Sequence, residues 1–318
     1  MIYIRSTGII APQGHTGPAH AEEPAPRMRA LEPDYAKLID PKLIRRMSRI
    51  IRMGVAAALE CLNGATPDAI ITGTAYGCLE DTTVFLKRMI DNKEEMLTPT
   101  AFIQSTHNTV GAQIALLLQC HGYNNTFVHR GFSFESALLD AIMLLQEGEA
   151  RNVLIGGIDE ITDTSHEILT RFGLYRHGAV NGEGAAFFLL DTEGPKAPGT
   201  KDPKAPGTKD RSVCLEALDT FYKPTDPARH IREFLASHEP PDLVLVGLNG
   251  DPANDRTYQG LFPDLPTESF KHLSGEYPTA TAFALARAVQ RAREINGRVL
   301  IYNHYQNIHH SLYLVSAC

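Results

Sequence analysis

Residues 125–163 constrain this chain more than any other stretch. Thr126-Phe-Val-His129 is a short β-type run, and Arg130-Gly-Phe-Ser-Phe-Glu135 reads as a sharp turn. Residues 136–147 follow as a helix with apolar side chains at almost every position: Ala137, Leu138, Leu139, Ala141, Ile142, Met143, Leu144 and Leu145. A helix apolar nearly all round is expected to be buried on most sides. Gly148 ends it, as a C-terminal glycine does. Val153-Leu-Ile-Gly-Gly-Ile-Asp159 then reads as a buried parallel strand.

The chain on either side repeats this logic. Residues 1–12 read as a strand and turn, and residues 13–26 as an exposed loop whose His15 and His20 are solvated. Residues 41–62 have helical periodicity, with Arg45, Arg46, Arg49 and Arg52 off the apolar face. Those arginines are either a solvated face or a docking surface for an acidic carrier protein. A strand is expected at 68–73, helices at 82–91 and 106–120, and a closing strand at 185–191. Pro67-Asp-Ala-Ile-Ile-Thr-Gly73 is echoed by Pro241-Asp-Leu-Val-Leu-Val-Gly247. Each follows an amphipathic helix and precedes an Ala-rich one, at 106–120 and 279–294. A repeated βαβ unit implies an α/β chain of two duplicated halves with mainly parallel sheets.

Between the halves Pro-Lys-Ala-Pro-Gly-Thr-Lys-Asp is written twice, over residues 195–210. Lacking any large apolar residue, this segment is expected to be a flexible linker. The domain reading is therefore 1–194, linker 195–210, and 211–318.

Bulk properties exclude several classes. A net charge of −7 argues against nucleic acid as the main partner. No apolar run is long enough to span a bilayer, and Met1-Ile-Tyr-Ile-Arg5 is a strand and not a signal peptide, so a cytoplasmic chain is expected. Cys61, Cys78, Cys120, Cys214 and Cys318 show no metal-type spacing, so neither zinc, another cofactor nor a disulfide framework is expected. Cys78 and Cys120 read as inert thiols. His309 and His310 would point to opposite faces of a strand, which argues against one metal site shared with His304.

The central stretch resembles the nucleophile segment of the β-ketoacyl synthases of the thiolase superfamily. Gly148-Glu-Ala150 and Gly156-Gly-Ile-Asp-Glu160 match the family's turns, as does Gly182-Glu-Gly-Ala-Ala186. The resemblance implies a thiolase fold: two α/β halves in five layers, α-β-α-β-α. It also places family residues. Gly131 stands where the family has its Cys nucleophile. Asn249, in Leu248-Asn-Gly-Asp-Pro-Ala-Asn-Asp255, stands for the first histidine. In Lys271-His-Leu-Ser-Gly-Glu276 the lysine is kept, and Glu276 stands for the second histidine. In Asn303-His-Tyr-Gln-Asn-Ile-His-His310 the asparagine is kept and every gating glycine is gone.

The resemblance thus implies a catalytically silent, chain-length-factor-like member. Such subunits pair with an active ketosynthase, which serves an acyl carrier protein, in polyketide, aryl-polyene or fatty-acid-type chain extension. Gly131 departs from the Gln usual in aromatic-polyketide chain-length factors, which brings aryl-polyene pathways closer. His129, Arg130, Phe132 and Phe134, with Asn303 and Tyr305, are the expected pocket or interface residues. Two other readings stand open. One is an acyltransferase or hydrolase using Ser133 as nucleophile, with His129 or Glu276 assisting; against it, Ser133 reads as a helix N-cap. The other is a self-associating scaffold.

Overall fold

The computed structural model describes residues 1–13, 27–194 and 212–318. The tandem repeat and the two loop histidines, His15 and His20, lie outside them.

Ten strands form the main sheet: β1 (Ile2–Ile10), β2 (Ala69–Gly73), β3 (Tyr123–Phe127), β4 (Asn152–Asp159), β5 (Gly184–Asp191), β6 (Val213–Tyr222), β7 (Leu243–Val246), β8 (Thr267–Ser269), β9 (Arg298–Tyr305) and β10 (His309–Ala317). Their order is β8-β7-β9-β10-β6-β1-β5-β4-β2-β3. The first five strands lie as β1-β5-β4-β2-β3 and the last five as β6-β10-β9-β7-β8, the same order in each set. The directions repeat too: β4, β2 and β3 are parallel, as are β9, β7 and β8, and the other neighbours are antiparallel. A short antiparallel ladder of β1 on β6, with Tyr3 opposite Cys214, joins the two sets. This is the duplication read from the sequence.

The helices that position the site are α1 (Arg49–Leu62), α2 (Leu79–Asp91), α3 (Thr109–Leu118), α4 (Ser133–Glu147), α5 (Asp163–Arg171), α6 (Pro227–Ala236) and α7 (Ala280–Ile295). Strand alternation sorts them into layers. Ile71, Ile155 and Phe188 from the first sheet face the same core as Leu245, Ile301 and Tyr313 from the second, with α4 and α7 between them. Ile70, Leu154 and Phe187 face the other way onto α1 and α3. Val244, Leu300 and Leu312 face α6. The result is five layers, the thiolase fold.

Several elements differ from the sequence reading. The region 41–62 is two helices, because Ser48 turns extended before α1 and leaves Pro41–Ile44 as a separate turn. The repeat partner of α7 is α4 and not α3: both α4 and α7 follow the third strand of their half, whereas α3 lies between the second and third. Helix α4 begins at Ser133, three residues early. It is not buried all round either, since Leu139 and Met143 are about half exposed. Strand β3 ends at Phe127, before His129, because Arg130 takes a left-handed φ of 53° and breaks the extension. At the other end of α4, Gly148 is left-handed at φ 74° and its N–H bonds the Leu144 carbonyl, as expected.

Half of the basic stripe is structural. Arg49 reaches both carboxylate oxygens of the fully buried Glu183, at 2.7 and 2.5 Å, and Glu183 also accepts from the Ala30 and Ile161 N–H groups. Arg52 lies over the Tyr35 ring. Arg45 and Arg46 alone remain exposed.

Candidate functional site

The turn before α4 is a single 3-10 turn, Arg130–Phe132, held by one side chain. Ser133 Oγ accepts from the His129 N–H at 2.9 Å and donates to the Arg130 carbonyl at 2.8 Å. Ser133 is fully buried. Its hydroxyl locks the turn, donating once and accepting once, and meets no basic side chain among the described residues. His129, the assistant considered for it, pairs instead through Nδ1 with Ser136 Oγ at 2.9 Å.

Gly131 is buried beneath Tyr305. A Cβ at position 131 would lie 2.7 Å from Tyr305 Cβ and 2.9 Å from Cδ1. The tyrosine therefore occupies the space that a side chain at this position needs. It is pinned there, its hydroxyl 3.0 Å from that of Tyr76. Burial first, then Tyr175, Tyr76 and Glu276 nearby, push the Tyr305 phenol well above its ordinary range. Gly131→Cys is accordingly expected to lose about 1–3 kcal/mol of stability through overpacking. Ser136→Cys, on the half-exposed side of the same helix, should lose almost none. Chemical denaturation of the two variants measures the difference, and equal midpoints would mean that Tyr305 moves aside freely.

The three motifs of the second half converge on one buried cluster. Lys271 Nζ donates to Glu276 Oε2 at 2.8 Å and to the His304 carbonyl at 3.2 Å. Asn249 Nδ2 donates to the same Glu276 oxygen at 2.7 Å. The Lys271 side chain is fully buried and that of Glu276 is 8% exposed. Asn303 is buried beside them with its Oδ1 unpartnered, as is Glu276 Oε1. Gly247 is the floor of this cluster: a Cβ there would meet Asn303 Oδ1, Tyr258 Oη and Lys271 Cε.

Among the described residues no imidazole presents itself to this cluster. His304 is adjacent but turned away. Its Nδ1 accepts from the Asn307 N–H at 3.1 Å and its Nε2 faces the Asn254 carbonyl at 3.3 Å. Burial first, then Lys271 and His310, hold it well below the usual range, so it is neutral. His309 and His310 do face opposite ways. His309 packs edge-on to Phe132 at 4.7 Å, and His310 stacks on Phe221. Among the described residues no three His, Cys, Asp or Glu side chains gather as metal ligands. All five cysteines are free thiols. Burial, then Asp81 and Glu160, push the Cys78 thiol up, away from thiolate character.

Phe134 is core and not pocket: it is wholly buried against Phe188 and Tyr313. His129 and Arg130 are exposed on the outer side of the turn. The sequence reading missed Tyr76, which sits in Gly73-Thr-Ala-Tyr-Gly77. That loop leaves the carboxyl end of a parallel strand, where sites form in such sheets. It also missed Asp159. This buried carboxylate accepts from Thr74 Oγ1, the Ala75 N–H and Thr279 Oγ1, which ties β4 to the loop after β2 and to the start of α7.

These features define a thiolase-fold protein in which Tyr305 fills the space above Gly131 and Lys271, Glu276 and Asn249 form one buried polar cluster. Residues 18–178, just over half of the chain, match the family described as Beta-ketoacyl synthase, N-terminal domain. The chain belongs to the β-ketoacyl synthase family. No curated protein matches it by sequence. Its fold is similar to that of the ishigamide ketosynthase/chain length factor, with a TM-score of 0.77, 17% identity and 99% of each chain covered. A type II polyketide synthase ketosynthase complex with its acyl-carrier protein gives 0.74 at 13% identity, covering 100% of this chain and 99% of that one. A β-ketoacyl synthase from Burkholderia phymatum STM815 gives 0.70 at 15% identity, with 100% and 99% covered.

Proposed function

We propose that this chain is a non-catalytic ketosynthase-like subunit of the chain-length-factor type. It pairs with an active ketosynthase in polyketide or aryl-polyene-type chain extension, in the cytoplasm. The observation that carries this is Tyr305 filling the space above Gly131. The Lys271–Glu276–Asn249 cluster adds weight. Decarboxylative condensation needs a thiolate nucleophile and donors for developing negative charge, and removal of a single such donor typically costs a hundredfold or more in rate. Here a carboxylate stands at one of the two histidine positions.

Two structures of similar fold, the ishigamide ketosynthase/chain length factor and the polyketide ketosynthase with its acyl-carrier protein, lend support to pairing with a ketosynthase and, through it, with a carrier. Local geometry supports it as well. β3 is the outermost strand of its half, with one edge unpaired among the described residues. Exposed Leu116, Val128, Leu139 and Met143 lie on and around it. An open edge flanked by apolar side chains invites a strand from a partner.

Two measurements test the proposal. Purified chain incubated with acyl-carrier substrates should show no acyl adduct by intact mass. An adduct lost on Ser133→Ala would replace this reading with a serine enzyme. For the pairing, Arg130→Glu should weaken co-purification with a co-expressed ketosynthase while leaving the thermal midpoint of the isolated chain almost unchanged. Arg130 is exposed and in no ion pair among the described residues, so its loss bears on a partner and not on folding. Undiminished co-purification would place the interface elsewhere. A homodimer indifferent to the ketosynthase would favour a scaffold.

A further inference from the structure

The fold brings two of the cysteines together. Cys214 lies near the start of β6, directly opposite Ser316 of β10, with its Sγ 3.6 Å from Ser316 Oγ. Cys318 follows the last residue of β10. Side chains two apart on extended backbone share a face. The ladder also continues past β10, since the Cys318 N–H bonds the Ser212 carbonyl at 2.9 Å. The Cys318 thiol therefore falls diagonally beside that of Cys214, and the two are hydrogen-bonded. The other three cysteines have different surroundings. Cys61 Sγ lies against Ser6, Cys120 Sγ donates to the Pro67 carbonyl, and Cys78 is buried near Asp81 and Glu160.

The paired thiols differ in access. Cys214 is fully buried and stands opposite Tyr3 of β1, in the short ladder that joins the two halves. Cys318 is exposed. Burial of part of its side chain first, then the Cys214 thiol and Glu216, push the Cys318 thiol up to about 12, with Arg5 opposing them. A thiol this basic is slow to make its first attack. Once Cys318 carries a leaving group, however, a second thiol already stands in contact with it, and an intramolecular step of that kind is strongly favoured.

We propose that Cys214 and Cys318 are an oxidation site, a reversible disulfide closed by a low-molecular-weight disulfide. Two exchanges complete the chemistry. Cys318, deprotonated, attacks one sulfur of the reagent. A mixed disulfide forms, the reagent's S–S bond breaks, and one small thiol leaves with the proton that Cys318 gave up. Cys214 then loses its proton, attacks the Cys318 sulfur and expels the second small thiol, which takes that proton. The cysteine pair is oxidised by two electrons and the reagent is reduced to two thiols. Diagonal neighbours lie farther apart than opposed ones, and a disulfide needs its sulfurs about 2 Å apart. Cys318, beyond the end of β10, is the partner that moves.

The bond closes a ring of about 100 residues that holds α6, α7 and strands β7 to β10, with Lys271, Glu276 and Tyr305 among them. Cross-links over long loops remove the most freedom from the unfolded chain. A reducing cytoplasm keeps such a pair open, and oxidative load closes it. The site is independent of the pairing with a ketosynthase, because β3 and its open edge belong to the other half.

The test incubates the full chain with oxidised glutathione, or with dithiothreitol as the reduced control. Intact mass is read first, and the chain is then denatured, alkylated and digested. The oxidised chain should be lighter than the reduced one by two hydrogens, carry no glutathione, and yield one cross-linked peptide pair holding Cys214 and Cys318. Its thermal midpoint should lie at least about 4 °C above that of the reduced chain. Cys318→Ser should lose both the cross-link and the shift while keeping the reduced chain's midpoint, because the side chain it replaces is exposed. A lasting glutathione adduct on Cys318 with Cys214 still open to alkylation overturns the site. So does a bond between Cys318 residues of two chains, or no reaction at all. An internal bond that leaves the midpoint unchanged overturns the clamp on the second half.

Discussion

Lys271→Met should cost roughly 3–5 kcal/mol of folding stability, the usual loss when one partner of a buried ion pair is removed. The size follows from what is left behind. Glu276 Oε2 receives both Lys271 Nζ and Asn249 Nδ2, and its other oxygen has no partner. Without the ammonium, a buried carboxylate keeps a single amide donor. The double variant Lys271→Met/Glu276→Leu removes both charges and should recover most of the loss, because apolar residues of similar volume often replace a buried pair at little cost. Equilibrium denaturation of the two variants decides the matter. A double variant as unstable as the single one would mean that the lysine stem, packed on Gly247, matters more than the charge.

That ion pair is also where the sequence is most and least legible. Lys271 and Glu276 stand five residues apart in a recognisable motif, and Asn249 in another, so all three were available as candidates. Their meeting was not, because it depends on how β7, the turn after it and the helix Lys271–Ser274 come together. The fold itself was readable. Period-two burial in the strands and the repeated Pro-Asp-strand-Gly pattern are local signals, and each half carries them. The error was in matching helices. Both α3 and α4 are apolar and end near a turn, and nothing in the composition of α3 says that it lies outside the central layer. Exposure of Leu139 and Met143 was equally hidden, since an apolar residue on an edge helix looks like one in a core. Tyr305 was named as a pocket residue, but that it fills the space at Gly131 comes from tertiary packing between β9 and the turn before α4. A glycine where a nucleophile is expected has two explanations, a missing function or a neighbour that needs the room, and only coordinates separate them.

Glu135 produces the second large effect, through pH. It lies in the first turn of α4, 2% exposed, facing α7 and β10. The hydroxyls of Thr281, Ser311 and Tyr313 surround its carboxyl and soften its charge, yet none is aligned well enough to satisfy either oxygen. Burial dominates and raises its pKa from 4.5 to about 7. The sign follows directly. Between those two values the unfolded chain has released the proton and the folded chain still holds it, so stability falls as pH rises, and the loss is complete above about pH 7. A shift of this size corresponds to roughly 3 kcal/mol. Asp159, raised to about 6, and Glu160, raised to about 7, both mainly by burial, add loss of the same sign. These carboxyl groups tilt stability downward between pH 5.5 and pH 8, whereas His304 and His310, both held below their usual range mainly by burial, tilt it upward, so the Glu135 contribution is read as the difference between the chain and a Glu135 variant. Glu135→Gln, which keeps the shape and removes the titration, should lose that downward share and be the more stable form at pH 8. Denaturation midpoints across the window check it. An unchanged slope in the variant would mean that Glu135 is already ionised in the folded chain, held by hydroxyls that have turned to meet it.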